Sequence, residues 1–278
     1  MKRGVRIFLG MVLALLFVAA AWFANAFLGN PVSWILARTG VKRYVEQTYA
    51  HLDLQTERFG YDFKTGGYFA YLASESSGDT AFYIRTDMLG RIRQDSFDTW
   101  VVRKFNTELR IREEYRSMAA AVFASADFPY ALDIAYGDIA FAGDGEWGES
   151  EFDFALSREI LELDKTYDIK ELGSQAGVLC IHAMDEQVSA QRAAEIMLQI
   201  RRIFDDAGVP FRMLDFVLRL PRPEDGTVWP DTAVYSQILY ADLVQDGMTE
   251  RVEESNASIL DRFARMDQEK MAELPTED

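Results

Sequence analysis

Hydrophobic positions follow three rhythms along this chain: one unbroken run, then alternation, then stripes at helical spacing. The unbroken run is Ile7–Leu28, 22 residues with no charge and a single amide, Asn25. At about 1.5 Å per residue a helix of that length reaches roughly 33 Å, against about 30 Å for the hydrocarbon core of a bilayer. A helix also satisfies its own backbone hydrogen bonds in lipid, so the run predicts a transmembrane anchor. Gly29-Asn30-Pro31 punctuates it. Asn30 suits a helix cap, and Pro31 suits a first turn, where no backbone donor is needed. Val32, Ile35, Leu36, Tyr44, Val45, Tyr49 and Leu52 then recur at helical spacing, with the helix reaching about Ala50 despite Gly40.

Alternation follows. Phe59, Tyr61 and Phe63 alternate with Gly60 and Asp62, Lys64–Gly67 reads as a hairpin turn, and Tyr68–Ala73 as the returning strand. Thr80–Asp87 and a short Arg91–Asp95 complete an antiparallel meander with one face open to water. A long helix is predicted from Asp98 or Thr99 to about Ser125, with Val101, Phe105, Leu109, Tyr115, Met118, Val122 and Phe123 as its stripe. Residues 31–126 therefore read as a first α+β unit: helix, meander, helix.

Past an irregular middle with a strand over Ile134–Phe141, Asp168 and Glu171 form a helix-start box. Val178–Asp185, apolar on both faces, predicts a central strand. Ser189 caps a helix over Ala190–Ala207, which Gly208 ends. Phe211–Leu220 and Ala233–Leu243 read as strands, and Met248, Val252, Ile259, Phe263 and Met266 mark a final helix. Residues 127–273 thus form a second unit of the split β-α-β-β-α type, with a disordered tail at 274–278. The expected fold class is α+β: an N-terminal transmembrane helix followed by two helix-on-antiparallel-sheet units.

Charge gives the oily run a direction. Lys2, Arg3 and Arg6 precede it, which places residues 1–6 in the cytoplasm and the bulk of the chain outside the cell membrane, although Arg38, Lys42 and Arg43 lie near its other end. The alternative is a cleaved, secreted protein with Ala24-Asn25-Ala26 as the cleavage site; the length of the run and its continuation through Phe27 and Leu28 favour a retained anchor. All 45 acidic residues but only 26 of the 29 basic ones lie beyond residue 30, so the exported body carries −19. Such a surface repels nucleic acid and anionic lipid. The lone cysteine, Cys180, excludes an intrachain disulfide, so packing must hold the body together, and 13% aromatic residues supply it.

Several local patterns, taken in order, resemble one family. They are Gly29-Asn30-Pro31-Val32-Ser33, then Phe63-Lys64-x-Gly66-Gly67-Tyr68, then Asp87-Met88-Leu89-Gly90. Glu162-Leu163-Asp164-Lys165, Arg192–Met197 and Asp205–Pro210 continue the series. Their order and spacing, from the anchor to about Arg251, are similar to the YfjL-like family of Firmicutes proteins. The resemblance implies a single-pass bacterial membrane protein and carries no catalytic residues.

Candidate chemistry is sparse. His51 and His182 are the two histidines, and Cys180 and His182 share one strand face; without a third ligand in sequence reach, a packed cysteine beside a hydrogen-bonded histidine is the better reading than a soft-metal site. Asp144, Glu146 and Glu149 crowd a glycine-containing loop and are weak calcium candidates, but the loop lacks the calcium-hand pattern. No G-x-S-x-G, S-x-x-K or phosphate-cradling glycine motif occurs. No metal or organic cofactor is expected. Tyr61, Phe63 and Tyr68, with Phe59 and Tyr71, make an aromatic cluster at one hairpin, and Trp147 and Trp229 sit in polar loops. These are candidate interaction residues, since exposed aromatics are enriched at interfaces. The leading function is therefore a membrane-anchored extracytoplasmic binding module, non-enzymatic, with an unidentified protein or small ligand as partner. The alternative is an exported acid/base hydrolase, which needs two carboxylates facing a common cleft.

Overall fold

The computed structural model describes residues 2–143, 152–221 and 232–273, with part of the side chains of the first and last helices outside that description. Helix α1, Lys2–Leu28, is one continuous helix of 27 residues. Among the described residues no helix is long and apolar enough to cross a membrane. The run Ile7–Leu28 lies within α1, and the side chains of several of its residues are outside the described set. Beyond α1 the chain is α+β, with two four-stranded sheets. It divides into two compact units: Met1–Thr107 with Leu161–Lys165, and Glu108–Ile160 with Thr166–Asp278.

In the first unit, helix α2, Pro31–Thr48, begins as its sequence predicts: the side chain of Asn30 accepts the backbone N–H of Ser33 at 2.8 Å and Pro31 opens the first turn. Strands β1 (Leu54–Asp62), β2 (Gly67–Ser74), β3 (Ala81–Thr86) and β4 (Ile92–Asp95) pair in sequence order, all antiparallel. One face of this sheet is buried with α2, through Val41, Ala70, Leu72, Phe82 and Ile84. A bulge between Thr56 and Arg58 shifts the register of β1. Because side chains alternate with period two, that single extra residue turns Phe59 and Tyr61 to the α2 side and Arg58 to the other.

The single helix expected over Asp98–Ser125 is two pieces. A π-type turn covers Asp98–Val102, Lys104 takes a left-handed backbone conformation (φ 60°), and helix α3 runs Phe105–Phe123. A left-handed residue interrupts the backbone ladder, so the stripe read from sequence continues across a corner. The corner is anchored: Asn106 donates to the carbonyls of Asp79 and Ala81, and Thr107 donates to the buried carboxylate of Asp79 at 2.9 Å. Asp79 and Asp164 exchange two more bonds, each side chain accepting the other's backbone N–H, at 3.0 and 2.9 Å. This knot ties the distant segment Leu161–Lys165 into the first unit.

The second unit holds strands β5 (Ala131–Ile139), β6 (Gly177–Met184), β7 (Met213–Arg219) and β8 (Ala233–Leu239), in that spatial order. Helix α4 spans Ile169–Ala176, α5 Ala190–Asp206 and α6 Met248–Glu273. The caps expected at Asp168, Ser189 and Gly208 are present, although the carboxylate of Glu171 accepts from Gln175. Two expectations are corrected. The unit is not of the split type, and its sheet is not wholly antiparallel, because β6 and β7 are adjacent and parallel. Helix α5 is the crossover that such a pair requires. Strand β6 is central, but its burial alternates, with Leu179, Ile181 and Ala183 buried and Cys180 and His182 partly exposed. The free edge of β8 is covered by α6: Asn256 accepts from the N–H of Tyr235 and Ser255 from that of Gln237, both at 2.9 Å. Covering an edge in this way blocks pairing with another chain.

Candidate ligand-binding face

The face of the first sheet turned away from α2 is built from alternate residues of β1 to β3. Register places Arg58, Tyr71 and Tyr83 in one cross-strand row, and Gly60, Phe69 and Arg85 in the next. With Asp62 these side chains line an open cavity of about 450 Å³. The guanidinium of Arg58 lies over the ring of Phe69, 5.7 Å from its centroid, and that of Arg85 over Tyr83 at 5.3 Å. Cation–π attraction, about 0.5–1 kcal/mol at an exposed site, biases both guanidiniums toward the sheet, with Arg58 still exposed. Gln94 donates to the hydroxyl of Tyr83 at 3.2 Å. Tyr71, on the strand between those of the two arginines, is 38% exposed. Burial raises the carboxyl of Asp62, but hydrogen bonds from Thr65 and Lys64 and the charge of Arg85 outweigh it and hold Asp62 below the usual carboxylate range.

The residues singled out from sequence are placed differently. Tyr68 is 2% exposed, and its hydroxyl bonds to Ser33 at 2.7 Å and to the backbone of Asn30, which makes it a clamp on the entry to α2. Tyr61 packs on Tyr68, and Phe59 stacks on it. Phe63 is exposed beside the hairpin turn. Trp147 and Trp229 lie outside the described residues, as do Asp144, Glu146 and Glu149. Sequence reading missed Arg58, Phe69, Tyr83 and Arg85. Their signal was the second alternation, out of phase with Phe59 and Tyr61.

In the second unit, Tyr136, Cys180, Asp215 and Gln237 form one cross-strand row, and Ile134, His182, Val217 and Tyr235 the next. Burial raises the thiol of Cys180, and its hydrogen bond with Tyr136 pushes the phenol up to about 12. Burial first, then the charge of Arg219, lowers the imidazole of His182. A neutral thiol beside a neutral imidazole is poorly suited to nucleophilic chemistry. Among the described residues no group of three or more His, Cys, Asp or Glu side chains is placed to hold a metal ion.

Glu108, buried, pairs with Arg112 at 2.9 Å and with Arg158. Asp127 and Asp206 line one cavity of about 680 Å³ with Lys170, Met118, Val122 and Ile203, but all three charged groups are open to solvent. A glycosidic acid is a carboxyl shielded from water, whereas Asp127 and Asp206 are both exposed.

The architecture defines an α+β protein of two helix-backed sheets, one of which leaves an aromatic and arginine face open to water. The chain belongs to the YfjL-like family: the model of the YfjL-like N-terminal domain matches residues 4–96, and that of the YfjL-like C-terminal domain residues 114–253. Of the sequence patterns that resemble this family, Gly29–Ser33 spans the junction of α1 with the first turn of α2, and Asp87–Gly90 lies between β3 and β4. No curated protein matches the chain. Among solved structures it is similar to a DUF5037 family protein from Ruminococcus gnavus, at 11% identity, covering 79% of this chain and 98% of that one. The TM-score is 0.24.

Proposed function

We propose that this protein is a single-pass, membrane-anchored extracytoplasmic binding module that holds an acidic polysaccharide on the open face of its first sheet. The observation that carries the reading is the pair Arg58 and Arg85, laid on Phe69 and Tyr83 on either side of exposed Tyr71. Aromatic rings offer flat apolar surface to the faces of sugar rings, and guanidinium groups match carboxylate geometry in a bidentate manner. Two cations on one sheet face match one or two carboxylates of a sugar chain but give no extended basic track for a phosphate backbone. Anchoring rests on the whole run Ile7–Leu28, uncharged and contained in one continuous helix. Basic residues before it support a cytoplasmic N-terminus with the two units outside.

Calorimetric titration of the full chain in detergent with tri-galacturonic acid, against the same trimer reduced to neutral galactose, tests the site. The acidic trimer is expected to bind and the neutral one to bind at least about tenfold more weakly, with Arg58→Ala and Arg85→Ala each erasing the preference. Equal binding of the two trimers, or variants without effect, overturns the assignment.

A further inference from the structure

The side of α2 opposite its buried residues is apolar where water should be. Ser33, Ala37 and Val41 face inward. On the outward side Val32 is 68% exposed, Ile35 58% and Leu36 42%. Leu89, in the turn between β3 and β4, is 60% exposed, and its neighbour Gly90 packs against the carbonyl of Leu36. Three exposed aliphatic side chains therefore lie on the first two turns of one helix, with a fourth on the turn whose Gly90 packs against it. Further along the same side come Lys42 and Arg43, with Glu46 paired to Lys42 at 3.8 Å. Arg38 lies over Trp34, 5.1 Å from its ring centroid. Along the helix the outward side passes from apolar to basic.

The patch is also fixed in direction. The hydroxyl of Tyr68 bonds to Ser33 and to the backbone of Asn30, and a side chain at Gly29 would lie 2.5 Å from that hydroxyl. The chain leaving α1 is thus clamped to the sheet within a few residues of Leu28.

We infer that Val32, Ile35, Leu36 and Leu89 seat the first unit on the outer leaflet, with the aliphatic side chains at the acyl boundary and Lys42 and Arg43 among the lipid phosphates. The inference rests on the reading of α1 as the anchor. Chain continuity selects the occupant: Val32 follows the end of the apolar run by four residues, so a spanning α1 delivers the patch at headgroup depth. The rest of the body is acidic and repels anionic lipid, whereas this side of α2 carries the complementary charge. Aliphatic side chains about 5–10 Å into the headgroup boundary with Lys and Arg nearby are the elements by which peripheral segments hold to a membrane surface.

The full chain, with Cys180→Ala, is reconstituted in vesicles of phosphatidylcholine and phosphatidylglycerol. Single nitroxides are placed through Leu13→Cys, Ile35→Cys, Leu89→Cys and, in the exposed hairpin turn, Thr65→Cys. Collision with oxygen relative to a water-soluble nickel chelate is expected to be highest at Leu13. At Ile35 and Leu89 the ratio should exceed that at Thr65 by at least about threefold. Water-like ratios at Ile35 and Leu89 with Leu13 in lipid overturn the seat and leave the anchor standing. A water-like ratio at Leu13 overturns the anchor, and the seat with it. Shielding of Ile35 and Leu89 from both reagents means a protein partner or a second copy covers the patch, and it overturns the lipid assignment.

Discussion

His182 shows how one side chain's surroundings set its charge. A guanidinium can only donate, so Arg219, 3.3 Å from Nδ1, requires that nitrogen to accept, which fixes the neutral ring with its proton on Nε2. Burial and the same guanidinium lower the imidazole below its ordinary 6.5. The unfolded chain therefore takes up a proton near pH 6.5 before the folded one does. His182 supports folding in full above that pH and loses its contribution as pH falls from there toward the folded value. Replacing it, as in His182→Gln, should narrow the drop in urea midpoint between about pH 7.5 and about pH 5.5 relative to the parent chain. An unchanged drop means that the ring titrates alike in both states, and the neutral acceptor is then wrong. Burial also disfavours the charged form of Cys180 on the same strand, whose thiol is raised.

At the scale of elements, a helix that pattern alone makes awkward becomes intelligible through its neighbour. Gly40 interrupts the apolar spacing of α2, and glycine costs a helix interior up to about 1 kcal/mol relative to alanine. A Cβ at Gly40 would lie 2.1 Å from the carbonyl oxygen of Gly90, and one at Gly90 would lie 2.3 Å from that of Leu36. Backbone meets backbone here, so neither side can yield by turning a side chain. Gly40→Ala should destabilise the first unit by about 1–3 kcal/mol despite its better helix propensity; a stabilised variant by urea unfolding would refute the close approach. The same contrast explains what was legible in the sequence. Asn30, Asp168, Ser189 and Gly208 mark helix ends through bonds to their own neighbours, and the meander announces itself by turns, so these were readable. The open face was not, because both alternations through β1 to β3 carry aromatics, and the bulge after Thr56 decides which set meets α2. Parallel pairing of β6 with β7 and the corner at Lys104 depend on distant partners, Asp79 among them, that local pattern does not contain.

For the whole molecule, the distribution of charge makes a stronger statement than its total. The chain begins with three basic residues and no acidic ones before the apolar run, whereas every one of its 45 acidic residues follows that run. Lys and Arg resist transfer across a membrane more strongly than Asp and Glu, so the short basic start should remain in the cytoplasm while the acidic body crosses. Arg38, Lys42 and Arg43 of α2 lie within about 15 residues of the other end of the run and pull the opposite way, so the orientation is a matter for measurement. Epitope tags placed before Lys2 and after Asp278 convert the argument into a measurement. Protease added to intact cells should remove the C-terminal tag and spare the N-terminal one, and both should be lost once the cells are permeabilised. Protection of the C-terminal tag in intact cells would put the arginine and aromatic face in the cytoplasm, beyond reach of an external polysaccharide, and the proposed function would fall with the topology.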